Sequence, residues 1–246
     1  MSLSRLALRI VTIAALRGRT LAGDAVRDSA FPALDCGAQE ESHLILAVYT
    51  DDGNASPRNG DLLSGQAVLS LVIESAVAIC VPSQGTWVIP ATDAEKETTL
   101  DLLDRQIRRA LMDPDTPWSR LWRGLVAEVT AVAIRPSARE ENGQRPASRQ
   151  LEIQVTTLAD PRPGHTATGV WADLLAELEA DASLAPVAPL LRAEIEGEAP
   201  SPQPDAWPRH WEHDAGTALG HEMDDPRAIA GSLETVVTTP NGYATP

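Results

Sequence analysis

A chain of 246 residues, 43% of them apolar, holds enough hydrophobic material for one large domain, or for one ordinary domain with an extension. Its formal net charge of −15 argues against sequence-independent nucleic-acid binding, which relies on arginine and lysine displacing counterions. No run reaches the ~18 apolar residues of a membrane span, so a soluble chain is expected.

Near the start, Leu6, Ile10, Ile13 and Ala14 recur three or four residues apart and predict a helix. Ser2 or Ser4 is the expected cap and Gly18 the stop, with Arg5, Arg9 and Thr12 turned away from the apolar stripe. A secretory leader also opens on a basic start before apolar residues, but Arg9 splits the uninterrupted core that a leader needs. A helix docked on a sheet is the better expectation. Leu44 to Tyr49 predicts a strand, followed by a loop from Asp51-Asp52-Gly53-Asn54 to about Gly65. From Val68 to Val81, Leu69, Leu71, Ile73, Ser75, Val77, Ile79 and Val81 share one parity, as in a long strand at the centre of a sheet. Trp87-Val88-Ile89 adds a short edge piece before Pro90. Cys36 and Cys80 have no metal or redox spacing; no disulfide framework is expected, and Cys80 is expected to pack as a small core residue.

Thr92 or Asp93 caps the next predicted helix. Acids at 93, 95 and 97 open it and Arg105, Arg108 and Arg109 lie toward its end, which complements the helix dipole. Leu100, Leu103, Ile107 and Leu111 give it one buried face, and Asp113-Pro114 with Thr116-Pro117 stops it. Trp118, Leu121, Trp122 and Leu125 fit a short helical turn whose aromatics serve a core or a subunit contact. Val126 to Arg135, alternating around Val132 and Ile134, and Leu151 to Thr157 predict a hairpin that closes the core, with Pro136 to Arg149 as its extended loop. The fold class expected is α+β: a small, mostly antiparallel sheet with helices packed on one face, plus an extended C-terminal arm.

That order of elements, from about residue 3 to 161, resembles the tail-terminator (tail completion) proteins of long-tailed bacteriophages and gene-transfer particles. The resemblance is carried by Leu16-Arg17-Gly18-Arg19-Thr20 with Asp28-Ser29, Val48-Tyr49-Thr50-Asp51, the Leu100 to Leu111 helix after its acidic start, Trp118 to Trp122, and Arg149-Gln150-Leu151 before Asp160-Pro161. It implies a structural virion protein of the tail and neck, assembled in the host bacterial cytoplasm. Such a protein forms a ring, usually a homohexamer, on the last ring of tail-tube protein, ends tube polymerisation, and offers a docking surface to head-tail connector and other neck proteins. DNA passes through the lumen without specific binding, and neither a cofactor nor a catalysed reaction is implied. The neighbouring reading is a head-tail connector or another neck protein. A sheet able to continue across a subunit boundary, and the loops Asp51 to Gly65 and Pro136 to Arg149, suit such work.

The compact domain is expected to span residues 1–163. Residues 164–246 form an acidic, proline-rich extension with one short helix at Thr168 to Asp181, and the stretch after Ser183 is expected to build no core. Charge follows this division: residues 1–30 carry net +3, residues 31–164 net −7, and residues 165–246 net −11. Leu233 to Thr239 is a strand-like run suited to wrapping a partner. The reading from a different class is a metal-dependent enzyme using His210 and His213, with His221 nearby, since imidazoles and carboxylates are zinc and iron ligands. Those histidines follow Pro204 and Pro208 and lack the register of a His-Glu-x-x-His helix, so no catalytic, cofactor or metal residue is assigned.

Overall fold

The computed structural model describes residues 2–29, 42–57, 61, 64–81, 83, 86–136 and 145–197, all within one compact unit, Met1–Glu212. The sheet has six strands: β1 (Val26–Asp28), β2 (Ser42–Ala55), β3 (Ala67–Val81), β4 (Thr86–Val88), β5 (Val126–Pro136) and β6 (Ser148–Thr157). Their order is β1-β2-β3-β6-β5, with β4 paired to the end of β3. β1 runs parallel to β2 and every other pairing is antiparallel. The fold is therefore α+β with a mostly antiparallel sheet.

Five helices accompany it: α1 (Leu3–Leu16), α2 (Ala94–Met112), α3 (Pro117–Leu125), α4 (Val170–Ala180) and α5 (Ala188–Glu196), with a short 3-10 turn at Ala185–Val187. The odd-numbered residues of β3 from Leu69 to Ile73 pair with Val48 and Thr50 on one side and with Leu151, Ile153 and Val155 on the other. These side chains make the floor of the main core. α1 lies over β1, β2 and β3, and α2 over β3 and β6. The opposite face of the sheet centre, with Ile45, Ala47, Val72, Ala76 and Ala78, is buried too.

α1 is covered on more sides than an amphipathic stripe requires, because α3 packs against its back. Thr12, expected to face away, is fully buried; its hydroxyl donates to the Leu8 carbonyl at 2.7 Å and accepts from Trp122 Nε1 at 3.1 Å. The start of α1 is capped from far away in sequence. Asp160, just beyond β6, accepts from the backbone N–H groups of Leu3 and Ser4 at 3.0 and 2.9 Å and from the Ser2 hydroxyl at 2.9 Å. Ser2 occupies the cap position but does not cap its own helix; its hydroxyl is spent on Asp160. At α2, Asp93 is the cap and accepts from Lys96 N–H, while Thr92 bonds Glu97 instead.

Three expectations need correction. β2 does not stop at Tyr49: it continues to Ala55, because a bulge at Asp51-Asp52 restores the register and lets Gly53, Asn54 and Ala55 pair with Leu69, Val68 and Ala67. The polar composition that suggested a loop belongs to an exposed strand end. Cys80 is buried as expected but is also disulfide-bonded; Cys36 lies outside the described residues. Lastly, packing does not end near Asp160. Besides Trp171, Leu174, Leu175 and Leu178 of α4, the residues Leu184, Val187, Leu191 and Ile195 join the main core, so Pro186 and Pro189 open short helices instead of dissolving structure. The extension beyond residue 197, including His210, His213, His221 and the run Leu233 to Thr239, lies outside the described residues.

Asp160 joins the two ends of the sheet-and-helix layer through one carboxylate. Asp160→Ala should therefore cost about 2 kcal/mol by removing the cap and a charged acceptor together. Urea unfolding checks this through a lower midpoint at unchanged slope.

Candidate functional site

Two features decide which surfaces the protein offers: where the helical layer stops, and which strand edges remain unpaired. The helical layer is fixed beside β6 by Arg149. The register of β6 places this residue opposite Ser75 and Pro136, and its side chain turns up toward α2. Its guanidinium donates from Nη2 to Glu97 at 2.5 Å, and from Nη1 to Asp101 at 2.5 Å and to Asp104 at 3.1 Å. Only 8% of the Arg149 side chain is exposed, and 7% of Asp104. Burial works against the Arg149 charge, but the hydrogen bonds it donates to Asp101, Asp104 and Glu97 outweigh this and hold the guanidinium more firmly protonated than an ordinary arginine. Burial lifts the Asp104 carboxyl above its usual range despite Arg149, and its Oδ1 has no hydrogen-bond partner. The Thr92 hydroxyl, then Arg149, holds the Glu97 carboxyl below its usual range. This is a structural clamp: one side of each ion pair faces protein, and the cluster is filled by its own charges.

Outside the clamp lies β5, which among the described residues pairs only with β6. Val129, Val132 and Ile134 sit opposite Val155, Ile153 and Leu151, so they point to the face that the helices cover elsewhere. Here the described helices leave the three side chains only partly covered, at 43%, 48% and 49% exposed. The other face of β5 carries smaller and charged residues: Glu128, Ala131, Ala133 and Arg135 pair with the polar Thr156, Gln154, Glu152 and Gln150 of β6. Arg135 there forms an ion pair with Glu152, which also accepts from the Ser70 hydroxyl. β5 thus keeps the alternation of a half-buried strand while lacking its cover. The hairpin expected to close the core leaves this edge open.

At the opposite end of the sheet, β1 pairs only with Leu46 to Val48, and among the described residues no strand flanks the outer side of β2 beyond that point. Asp51, Asp52, Gly53 and Asn54 are exposed there. Arg5 secures the strand where the exposed part begins, reaching the carbonyl and the hydroxyl of Thr50. Of the two loops expected to reach neighbours, the first, Asp51 to Gly65, begins with this strand end, which runs to Ala55. The second, expected over Pro136 to Arg149, is shorter at both ends, since Pro136 belongs to β5 and Ser148 and Arg149 to β6. Residues 137–144 lie outside the described residues, and after them Thr92 N–H donates to the Arg145 carbonyl and Ala147 N–H to the Pro90 carbonyl, both at 2.8 Å.

A groove of about 430 Å³ lies between α3 and α4, lined by Arg120, Leu121, Gly124, Val170, Asp173 and Glu177. Gly124 permits the approach of the two helices, since a Cβ there would stand 2.9 Å from Val170 Cγ2. Among the described residues, no group of three His, Cys, Asp or Glu side chains is arranged to hold a metal, and His210 and His213 are not among them. Sequence reasoning singled out Arg149 as the opening of a strand but not as a clamp. It counted Val132 and Ile134 toward the core, and nothing in their alternation signals that the helical layer ends one strand short.

No family model matches the chain, and no curated protein matches it.

Arg149→Met should destabilise the protein by about 3 kcal/mol, because it strands the buried Asp104 charge. Adding Asp104→Leu should recover most of that loss, as read by chemical unfolding of the single and double variants. Acid unfolding should distinguish the two carboxylates. Glu97, with its folded value lowered, contributes stability that is complete above its unfolded value and lost as pH falls through the folded one; Asp104, with its value raised, acts in the opposite sense. Glu97→Gln should therefore flatten the fall in stability from about pH 5 downward, measured as urea midpoints across a pH series.

Proposed function

We propose that this protein is a tail terminator: a ring-forming structural protein that caps a phage-type tail tube, ends its growth and presents a docking surface to neck proteins. The observation that carries this reading is the exposed strip of Val129, Val132 and Ile134 on an edge strand whose outer side has no partner among the described residues. A strand with one apolar and one polar face, left without cover, is the mark of a surface completed by association. The resemblance in order and spacing over residues 3 to 161 supplies the kind of association: rings stacked on a tube, with geometry as the product instead of turnover. A dominant acidic charge suits the wall of a channel that DNA traverses, since it repels the phosphate backbone instead of holding it.

The function is tested on particles that lack this chain. Tubes of uncontrolled, excess length are expected, together with capping of purified tubes when the protein is added back, both scored by electron microscopy. Filled heads beside separate tails of normal length would instead assign the chain to joining head and tail, as a connector. Unchanged particles would overturn the assembly reading altogether.

A further inference from the structure

The two free edges of the sheet differ in a way that suits them to each other. Beside the apolar strip of β5, α2 presents one flank to the same side as β6: Glu97, Asp101 and Asp104 reach Arg149 from it. Asp101, Arg105, Arg108 and Met112 continue that flank at spacings of four, three and four residues. Arg108 is close enough for its charge to act on Asp104, and Arg105, Arg108 and Met112 are all exposed. The β5 edge therefore combines an outer side that no strand pairs among the described residues, an apolar floor and, past the Asp101 carboxylate, the exposed Arg105 and Arg108. The distal β2 edge has the opposite sign. Asp51 and Asp52 occupy its bulge and face solvent, and Val68 beside it on β3 is 44% exposed.

A charged bulge on an edge strand is a device against indiscriminate pairing. An edge that supplies matching positive charge is the kind that overcomes it, and β5 with the α2 flank is such an edge on this same chain. Two different, complementary edges on one protomer make a head-to-tail contact, the type from which closed rings are built; two identical edges would make only a two-fold pair. We propose that the β5 edge of one copy receives the distal β2 edge, Tyr49 to Ala55, of a second copy, with Arg105 and Arg108 facing Asp51 and Asp52. This contact deepens the ring reading and rests on it.

Charge reversal tests the contact at four exposed side chains; of these, Arg108 also acts on the buried Asp104, so the fold of the arginine variant is checked separately. Arg105→Glu with Arg108→Glu in one protein, and Asp51→Arg with Asp52→Arg in another, should each weaken self-association by roughly tenfold or more, through like charges brought together. Circular dichroism should stay as in the unaltered chain for both proteins. Thermal unfolding should stay for the aspartate variant and fall modestly for the arginine variant, where Arg108→Glu brings like charge toward Asp104. Mixing the two reversed proteins should restore rings, because each then offers the edge that the other needs, in alternation. Mass photometry and sedimentation velocity read the outcome. Rings that survive either reversal, or a mixture that fails to reassemble, overturn this contact while leaving the ring reading standing. An unaltered chain that remains monomeric at every concentration and on tail tubes overturns both.

Discussion

The arrangement of the whole domain depends on how α1 is held. It is the first element of the chain, yet it lies between the sheet and α3, with residues on every side buried, so its unsatisfied N-terminal amides cannot all turn to water. Asp160 resolves this by leaving the end of β6 and accepting from Leu3 and Ser4 N–H and from the serine hydroxyls. Once α1 is fixed, Thr12 meets Trp122, α3 is fixed in turn, and α3 leads directly into β5. One carboxylate thus ties the start of the chain to the strand that defines the far edge of the fold.

A second constraint determines which surface stays open. Arg149 draws the flank of α2 down onto β6, and three carboxylates hold it there. Moving α2 outward to cover β5 would pull the buried Asp104 from the guanidinium of Arg149, a cost on the scale of an unpaired internal charge. The helical layer therefore ends at β6, and the apolar residues of β5 remain available to another molecule. The clamp that secures the core thus leaves uncovered the edge that the proposed association would use.

Much of the fold was legible in the sequence, because local signals and long-range packing agree there. The parity of Leu69, Leu71 and Ile73 announces a central strand, and the acidic start, the Leu100 to Leu111 spacing and the trailing arginines announce α2. Less was legible where tertiary contacts override local chemistry. The polar end of β2 looks like a loop until its ladder with β3 is seen, and Asp160 acts on residues far from it in sequence. The proline-marked stretch after Ser183 looks unable to pack, yet Leu184, Leu191 and Ile195 find a core that other elements have already built. Of the candidate surface, the strand was visible and its exposure was not. Val132 alternates like a core residue, and only the breadth of the helical layer, set by Arg149, decides that it is bare.

The central claim is that β5 is an edge made to be covered by another copy. Hydrogen exchange of the backbone amides in residues 126–136 measures this directly, comparing dilute protein with assembled rings. The account predicts slow exchange along β5 in the rings and fast exchange at its outward-facing amides in the monomer. Equal exchange in both states, with protection appearing elsewhere, would contradict it.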